Sequence, residues 1–563
     1  MTQEVRPETV IAAFDGRRLN DGISEFGVER RGDEFWVESV EPDWLLRRAV
    51  EGAEAVEGPP PMQWQRVVMS TGAHNMQMYW VPAGDGRRLI AFPFSWMVEA
   101  GRWVPNESTL LRPYEPHVVY VWNEVCIKCH AVAGAPEVDL EGVQSEVAEL
   151  GIACEACHGP GAEHVASQSN PVRRYTARLG GESELHIVDP SSMSAKASSE
   201  ICGQCHSASL AADEDEWLRR GSGYRAGAAL AEHVRVVRHP VRADQPWIED
   251  TLDADPDYLS GRFWPDGMIR ISGRDYNGTL ESPCAVDENF GCVSCHVMHG
   301  DEPDDQLKPE ARGDAACLAC HGELEGELEA HTRHASESVG SRCVNCHMPH
   351  TTYGLLKGIR SHQISIPNLE ESVQYGRPNA CNACHLDRSW AWTARELARG
   401  WGIEVDPELP LGSDETTGAA VRALVAGDAG QRALAAWAMG WPEATVAGAG
   451  EGGPDRRATL EPLLARALDD DYAAVRWIAA RSLRALRRTR TAELPDWSVA
   501  TPTRDPAAAR EAAAAWTERG ESELVELNLP ATPATLWTGT GVDEVRYREL
   551  RAGRDERLVD LRE

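Results

Sequence analysis

The stretch CVSCHVMHG, residues 292–300, places two cysteines and two histidines in nine positions. Cys292, Cys295 and His296 have the spacing C-x-x-C-H, and His299 follows three residues later. The same spacing recurs at Cys126–His130, Cys154–His158, Cys202–His206, Cys317–His321, Cys343–His347 and Cys381–His385. Seven copies use fourteen of the fifteen cysteines. C-x-x-C-H is the attachment signature of a c-type haem, in which two thiols form thioethers with the haem vinyl groups and the next histidine ligates iron from one face. Zinc ribbons and disulfides also use paired cysteines. Neither puts a histidine directly after every second cysteine. The expectation is therefore seven covalently attached haem c groups. Their thioethers fall on Cys126, Cys129, Cys154, Cys157, Cys202, Cys205, Cys292, Cys295, Cys317, Cys320, Cys343, Cys346, Cys381 and Cys384. The proximal ligands are His130, His158, His206, His296, His321, His347 and His385.

Eleven histidines remain of eighteen. Low-spin electron-transfer haems need a second axial ligand, usually His or Met. His299 is only three residues from His296, too few for the chain to pass around a porphyrin edge. If it ligates, it serves a neighbouring haem, and one short segment then binds two irons. The same reasoning covers His164, six residues after His158, and His350, three after His347. His331 and His334 in HTRH share a face if helical, so they can reach two adjacent haems. His362 sits in a proline-bounded turn, RSHQISIP. His74 begins a strand and would pin the N-terminal region to the haem core, and His117 lies just before the first motif. The distal candidates are thus His74, His117, His164, His299, His331, His334 and His362, with His350 in reserve. His186, His233 and His239 read as surface or propionate-contacting residues. Met298 and Met348 follow proximal histidines too closely to ligate the same iron. Cys284 has no motif partner and reads as a buried thiol, an unusual ligand or an intermolecular disulfide.

With 563 residues, the chain has room for several domains. Residues 1–115 hold no motif but contain strand-like runs, EFWVESV, NMQMYWVP and RLIAFPFSW. They predict a small β-rich domain. Residues 116–400 carry every motif and predict short helices and irregular chain around the haems. Within them, GRFWPDGMIRISGRDYNG lies in a gap of about 85 residues between the third and fourth motifs. It reads as turns and short strands, walling a haem or forming a surface loop. Residues 401–500 become rich in Ala, Leu and Arg. Two similar units there place Asp428 and Asp471 43 residues apart, the period of HEAT-type helical hairpins. Residues 501–563 predict one helix and an irregular, extended tail. The fold class is multidomain: a β-rich start, a mostly irregular or α-helical multihaem core, and all-α repeats. Because every ligand candidate precedes residue 410, the helical repeats are expected to be dispensable for haem binding.

A formal charge of −33 repels nucleic acid and anionic lipid, and favours redox partners with a basic docking face. No run of 18 apolar residues offers a membrane span. The first thirty residues lack a signal-peptide pattern. Covalent haem attachment in bacteria nevertheless takes place outside the cytoplasmic membrane, so an extracytoplasmic protein is expected, with a trimmed start or a start codon assigned too far downstream.

The segment CEACHGPGAEH resembles the second haem motif of cytochrome c554-type multihaem proteins, a likeness that implies distal ligation by His164. CVNCHMPHTTYGLLKGIRSHQISIPN and GRPNACNACHLDRSWAWTA look like large bacterial cytochromes of that type ending in helical repeats. The resemblance spans roughly residues 60–490. It implies bis-histidine haems, an extracytoplasmic location and electron transfer. Relatives of this kind include both carriers and nitrogen-cycle enzymes. This chain departs from the small members in its seven motifs, β-rich start and repeat tail. Three functions compete. The first is an electron conduit, favoured by the histidine surplus. The second is a nitrite- or hydroxylamine-type oxidoreductase with one open iron, for which Lys128 and Tyr120 are the only hints of proton delivery. The third is a scaffold whose repeats dock a partner. Lys128 is expected to be exposed.

Overall fold

Alternation in EFWVESV becomes β4, Glu34–Val40, with Phe35 and Val37 turned inward. In this computed structural model β4 is central to an antiparallel meander with β2 (Asp15–Asn20), β3 (Glu25–Arg31) and β5 (Met62–Arg66). Arg31 pairs with Glu34 across a two-residue turn, and its first residue, Gly32, takes the left-handed φ of 65° that such hairpin turns require. The structure describes residues 2–21, 24–52, 58–84, 87–113, 115, 117–139, 142–180, 186–300, 305–411, 416–444, 456–487 and 506–561.

A second antiparallel sheet runs in the order β1 (Thr2–Glu4), β6 (Met69–Thr71), β7 (Met76–Ala83), β9 (Phe94–Met97), β10 (Arg102–Pro105), with β8 (Arg88–Ala91) also on β7. The RLIAFPFSW run is two strands rather than one, because Pro93 has no N–H to continue a ladder. Phe26, Val28, Phe35 and Val37 of the meander meet Tyr79, Val81, Phe92, Phe94 and Trp103 in one apolar core. The other face of β7 is buried too: Trp80 packs with Met69, Trp122 and Ile127. That contact seats the first motif against the back of the second sheet. Asn123 fixes it there, accepting from Leu89 N–H at 2.8 Å and donating to Ser145 Oγ at 2.9 Å.

Between residues 117 and 400 the motifs sit on one-turn helices such as Cys154–His158, Cys343–His347 and Ala380–Cys384. Regular structure is otherwise sparse, with hairpins pairing Ser209–Ala211 with Val234–Val236 and Thr352–Gly354 with Lys357–Ile359. The segment between the third and fourth motifs is not a surface loop. Phe263, Trp264, Met268, Ile269 and Ile271 are all buried, and Ile271 bridges to Tyr353.

Beyond residue 416 the expected helices form two hairpins, Ala419–Ala426 with Ala429–Gly440 and Glu461–Arg466 with Ala473–Arg487. Asp428 caps the second helix. Its carboxylate accepts from Gln431 N–H, and the Gln431 side chain accepts from Asp428 N–H. The buried acid in the second hairpin is Asp470, while the side chain of Asp471 is exposed. The tail is less irregular than its composition suggests. One helix spans Pro506–Glu526, another spans Glu544–Ala552, and Leu561 returns to pair with Leu111.

These helices are not a separable appendage. Val421, Leu424, Leu434, Met439, Leu464 and Ile478 share one core with Trp264, Met268, Ile271, Tyr353, Leu356 and Leu386 of the motif region. Arg270 is ion-paired with Asp428 at 3.0 Å, with both groups buried. Trp437 lies so close over Gly358 that a Cβ there would meet its ring at 2.7 Å.

Candidate cofactor site

Every motif lies on a helical turn: those at Cys154, Cys292 and Cys343 open a short helix, whereas the one at Cys202 closes the helix Ala195–Gly203. None of the fifteen cysteines is in a disulfide. Among the described residues no three His, Cys, Asp or Glu side chains converge as a metal site. The histidines pair instead. His158 faces His299 with ring centres 5.9 Å apart and planes 6° from parallel. His296 faces His362 at 6.2 Å and 30°, His331 faces His347 at 6.2 Å and 18°, and His334 faces His385 at 6.0 Å and 26°. A metal–imidazole bond of about 2 Å plus roughly 1 Å from nitrogen to ring centre places two rings on opposite sides of one metal about 6 Å apart.

Hydrogen bonding at the other nitrogen agrees. Nδ1 of His158 lies 2.7 Å from the Val188 carbonyl, that of His296 2.9 Å from Asp305 O, that of His347 2.9 Å from Ser365 O and that of His334 2.7 Å from Thr332 O. An Nδ1–H held by a carbonyl fixes the tautomer that leaves Nε2 as a metal ligand. Burial pushes the His296, His347 and His385 imidazoles below their ordinary range and His130 down to about 4. The neutral, ligating form is thereby favoured. Cysteine pairs on short helices, a histidine after each, and opposed imidazoles are a donor set that fits haem c.

The local structure explains how close sequence neighbours separate. The HTRH helix ends at Thr332, and Arg333 takes a left-handed φ of 60°. His331 and His334 therefore diverge, one toward His347 and the other toward His385. His299 stands opposite His158 of another motif, while its near neighbour His296 meets His362.

Among the described residues, no other histidine ring stacks opposite a motif histidine at such a distance. His74 is exposed in the bend before β7, and the His117 ring packs edge-on against Trp44 at 5.4 Å. His164 lies half-buried on the helix Ala162–Gln168. His350 is wedged between Trp437 and Trp441, with ring centres 4.6 and 4.9 Å away, and burial pushes it down to about 3. His186 stands 3.7 Å from Glu163. His233 and His239 are half-buried against Tyr224 and Phe263 rather than free on the surface. Cys284 is half-buried in the turn Pro283–Val286. Among the described residues no histidine ring stands opposite His130, His206 or His321 at such a distance.

Two features were not legible in the sequence. Lys128 is half-buried, not exposed: its ammonium donates to Ser209 Oγ at 3.1 Å and to the Ser209 carbonyl at 3.3 Å. Burial lowers its pKa. Asp275 lies between two imidazoles, 3.4 Å from His206 Nδ1 and 3.0 Å from His362 Nδ1. Although burial opposes its ionisation, the two histidines hold its carboxyl well below the usual range. Nothing in GRDYNG signals this role, because both partners come from distant loops.

Residues 105–159 match the profile of cytochrome c554 and c-prime, and residues 283–326 match that of the doubled CXXCH motif. No curated protein matches. Among solved structures, the crystal structure of the outer cell wall cytochrome OcwA is similar at 16% identity and a TM-score of 0.45, over 93% of this chain and 94% of that one.

Proposed function

We propose that this chain, a multihaem c-type cytochrome with covalently bound haem c, conducts electrons along a file of seven haems. The reading rests on the four opposed histidine pairs, which would give four irons a ligand on each face from this chain alone. Haem supplies one-electron redox chemistry when bound. The polypeptide holds the anchors of successive motifs together. The Cys129 thiol touches Cys205, Cys202 touches Cys292, and Cys317 touches Cys343. Cys295 lies near Cys317, and Cys346 lies near Cys381 and Cys384. Read in order, these neighbours run from the first motif to the third, fourth, fifth, sixth and seventh. The second joins at the third through Cys157 and at the fourth through His299.

The β-sandwich of residues 1–115 supports the entry motif, residues 116–400 hold the file, and the hairpins of 401–500, which we read as HEAT-like, brace it with the helices of 501–563. The protein acts outside the cytoplasm, where such haems are attached. Among the described residues no helix is long and apolar enough to cross a membrane. Its charge of −33 suits redox partners with basic faces. A second reading, an oxidoreductase with an open haem, draws on His130, His206 and His321, which face no histidine among the described residues.

The pyridine haemochrome is expected to report seven haems per chain. Five or fewer would overturn the reading of the motifs. Carbon monoxide added to the reduced protein separates the two functions. The haems of His158, His296, His347 and His385 are expected to stay unchanged. A response confined to the other three would favour the oxidoreductase, and a response of four or more would break the pairing.

A further inference from the structure

We propose that Asp275 sets the reduction potentials of two haems together, by placing its carboxylate charge beside Nδ1 of both His206 and His362. The inference rests on the proposed reading of His206 as the ligand of the third motif and of His362 as the second ligand at the fourth. One carboxylate oxygen lies 3.4 Å from His206 and the other 3.0 Å from His362, so a single side chain spans axial histidines of two different haems.

The contact is built into the fold. The helix Asp275–Glu281 is clamped to both ligand segments. Tyr276 N–H donates to the His206 carbonyl at 2.9 Å, and Asn277 Oδ1 accepts from Ala208 N–H at 2.7 Å. On its other side Gly278 permits close approach: a Cβ there would lie 2.8 Å from Gln363 N and 2.9 Å from the His362 carbonyl carbon. A helix pressed between two ligand loops, with its first side chain bridging the rings, does more than place an acid in a favourable first turn.

The chemistry distinguishes these two histidines from the rest. The Nδ1 atoms of His158, His296, His334 and His347 meet neutral backbone carbonyls. His321 has Glu323 at 3.5 Å, but that carboxylate is exposed where Asp275 is half-buried, and an exposed charge counts for less. A negative charge beside Nδ1 makes the imidazole a stronger donor to iron, and such surroundings tune a metal's potential. More electron donation favours the oxidised iron, so both potentials are held low. Because one charge serves both sites, the two haems are tuned as a pair.

The test is a spectroelectrochemical titration of the haem-loaded protein and of Asp275→Asn. The variant is expected to keep seven haems and to move two redox transitions to higher potential, with altered low-spin resonances for the same haems. Asp275→Glu retains the charge and is expected to move the same two transitions by less. If the asparagine variant does not assemble with seven haems, the glutamate variant decides alone. Movement of two transitions supports the proposal, whereas movement of none, one or all overturns it. A wild-type count below seven would instead strike the reading of the motifs, so the two failures are distinguishable.

Discussion

At the scale of single residues, the histidine spacings carry most of the information. His299 lies three positions after His296, and that distance alone forbids both from binding one iron. The rings follow this limit, with His299 opposite His158 and His296 opposite His362. Replacing His299 with alanine is expected to convert the haem anchored by Cys154 and Cys157 to high spin, leaving the haem at Cys292 and Cys295 low spin. Electron paramagnetic resonance with site-specific assignment checks this. A change at the Cys292 haem would sink the pairing. What the spacing could not provide was the partner of each ring. It is His299, from a segment 141 residues further along the chain, that stands opposite His158.

At the scale of elements, strands and helices were legible wherever their period was uninterrupted. EFWVESV is β4 from end to end because its alternation and β-branched and aromatic content agree. The helical hairpins were legible for the same reason at a period of 3.6. The buried acid of the second hairpin was not. Repeat spacing points to Asp471, whereas the structure buries Asp470 against Arg432 at 2.7 Å and Arg554 at 2.8 Å. A one-residue shift in a helical turn cannot be read from period alone when three aspartates are consecutive. Burial disfavours the Asp470 carboxylate, but Arg432 and Arg554 outweigh it and hold its pKa below the ordinary value. A depressed folded pKa means the stabilisation is present above the unfolded value, about 4, and is lost as pH falls through the folded one. Asp470→Asn leaves the buried Arg432 guanidinium without its carboxylate and Arg554 with only the more exposed Asp471 and Glu556, and is expected to destabilise these helices by about 3–5 kcal/mol at neutral pH. The difference from wild type should shrink on acidification below about pH 4. Denaturant unfolding followed by far-ultraviolet circular dichroism gives both numbers. An equal gap at pH 3 and pH 7 would count against the ion-pair account.

At the scale of the whole molecule, the C-terminal helices and the motif region fold as one body. All ligand candidates lie before residue 410, which makes the helices look dispensable on paper. The shared core of Leu424, Leu434 and Ile478 with Trp264, Tyr353 and Leu386 argues otherwise. A chain stopped at residue 410 would uncover that apolar surface and leave Arg270 without Asp428. Loss of soluble, fully haem-loaded protein is therefore expected, with the seventh motif affected first because Leu386 directly follows His385. A soluble truncated chain with an unchanged haem spectrum would show that the motif region stands alone.

The sequence by itself determined the cofactor chemistry, because C-x-x-C-H encodes anchor and ligand within five consecutive residues, and local spacing survives any fold. It also determined the strand-rich start and the helical end, whose periods are local too. Only the tertiary structure decided which histidine faces which, why Lys128 is half-buried, how Asp275 reaches two rings, and that the helices share a core with the motifs. Each of those depends on chain segments tens to hundreds of residues apart. Their meeting is set by the packing of Trp264, Tyr353 and Trp437 rather than by any pattern a short window contains.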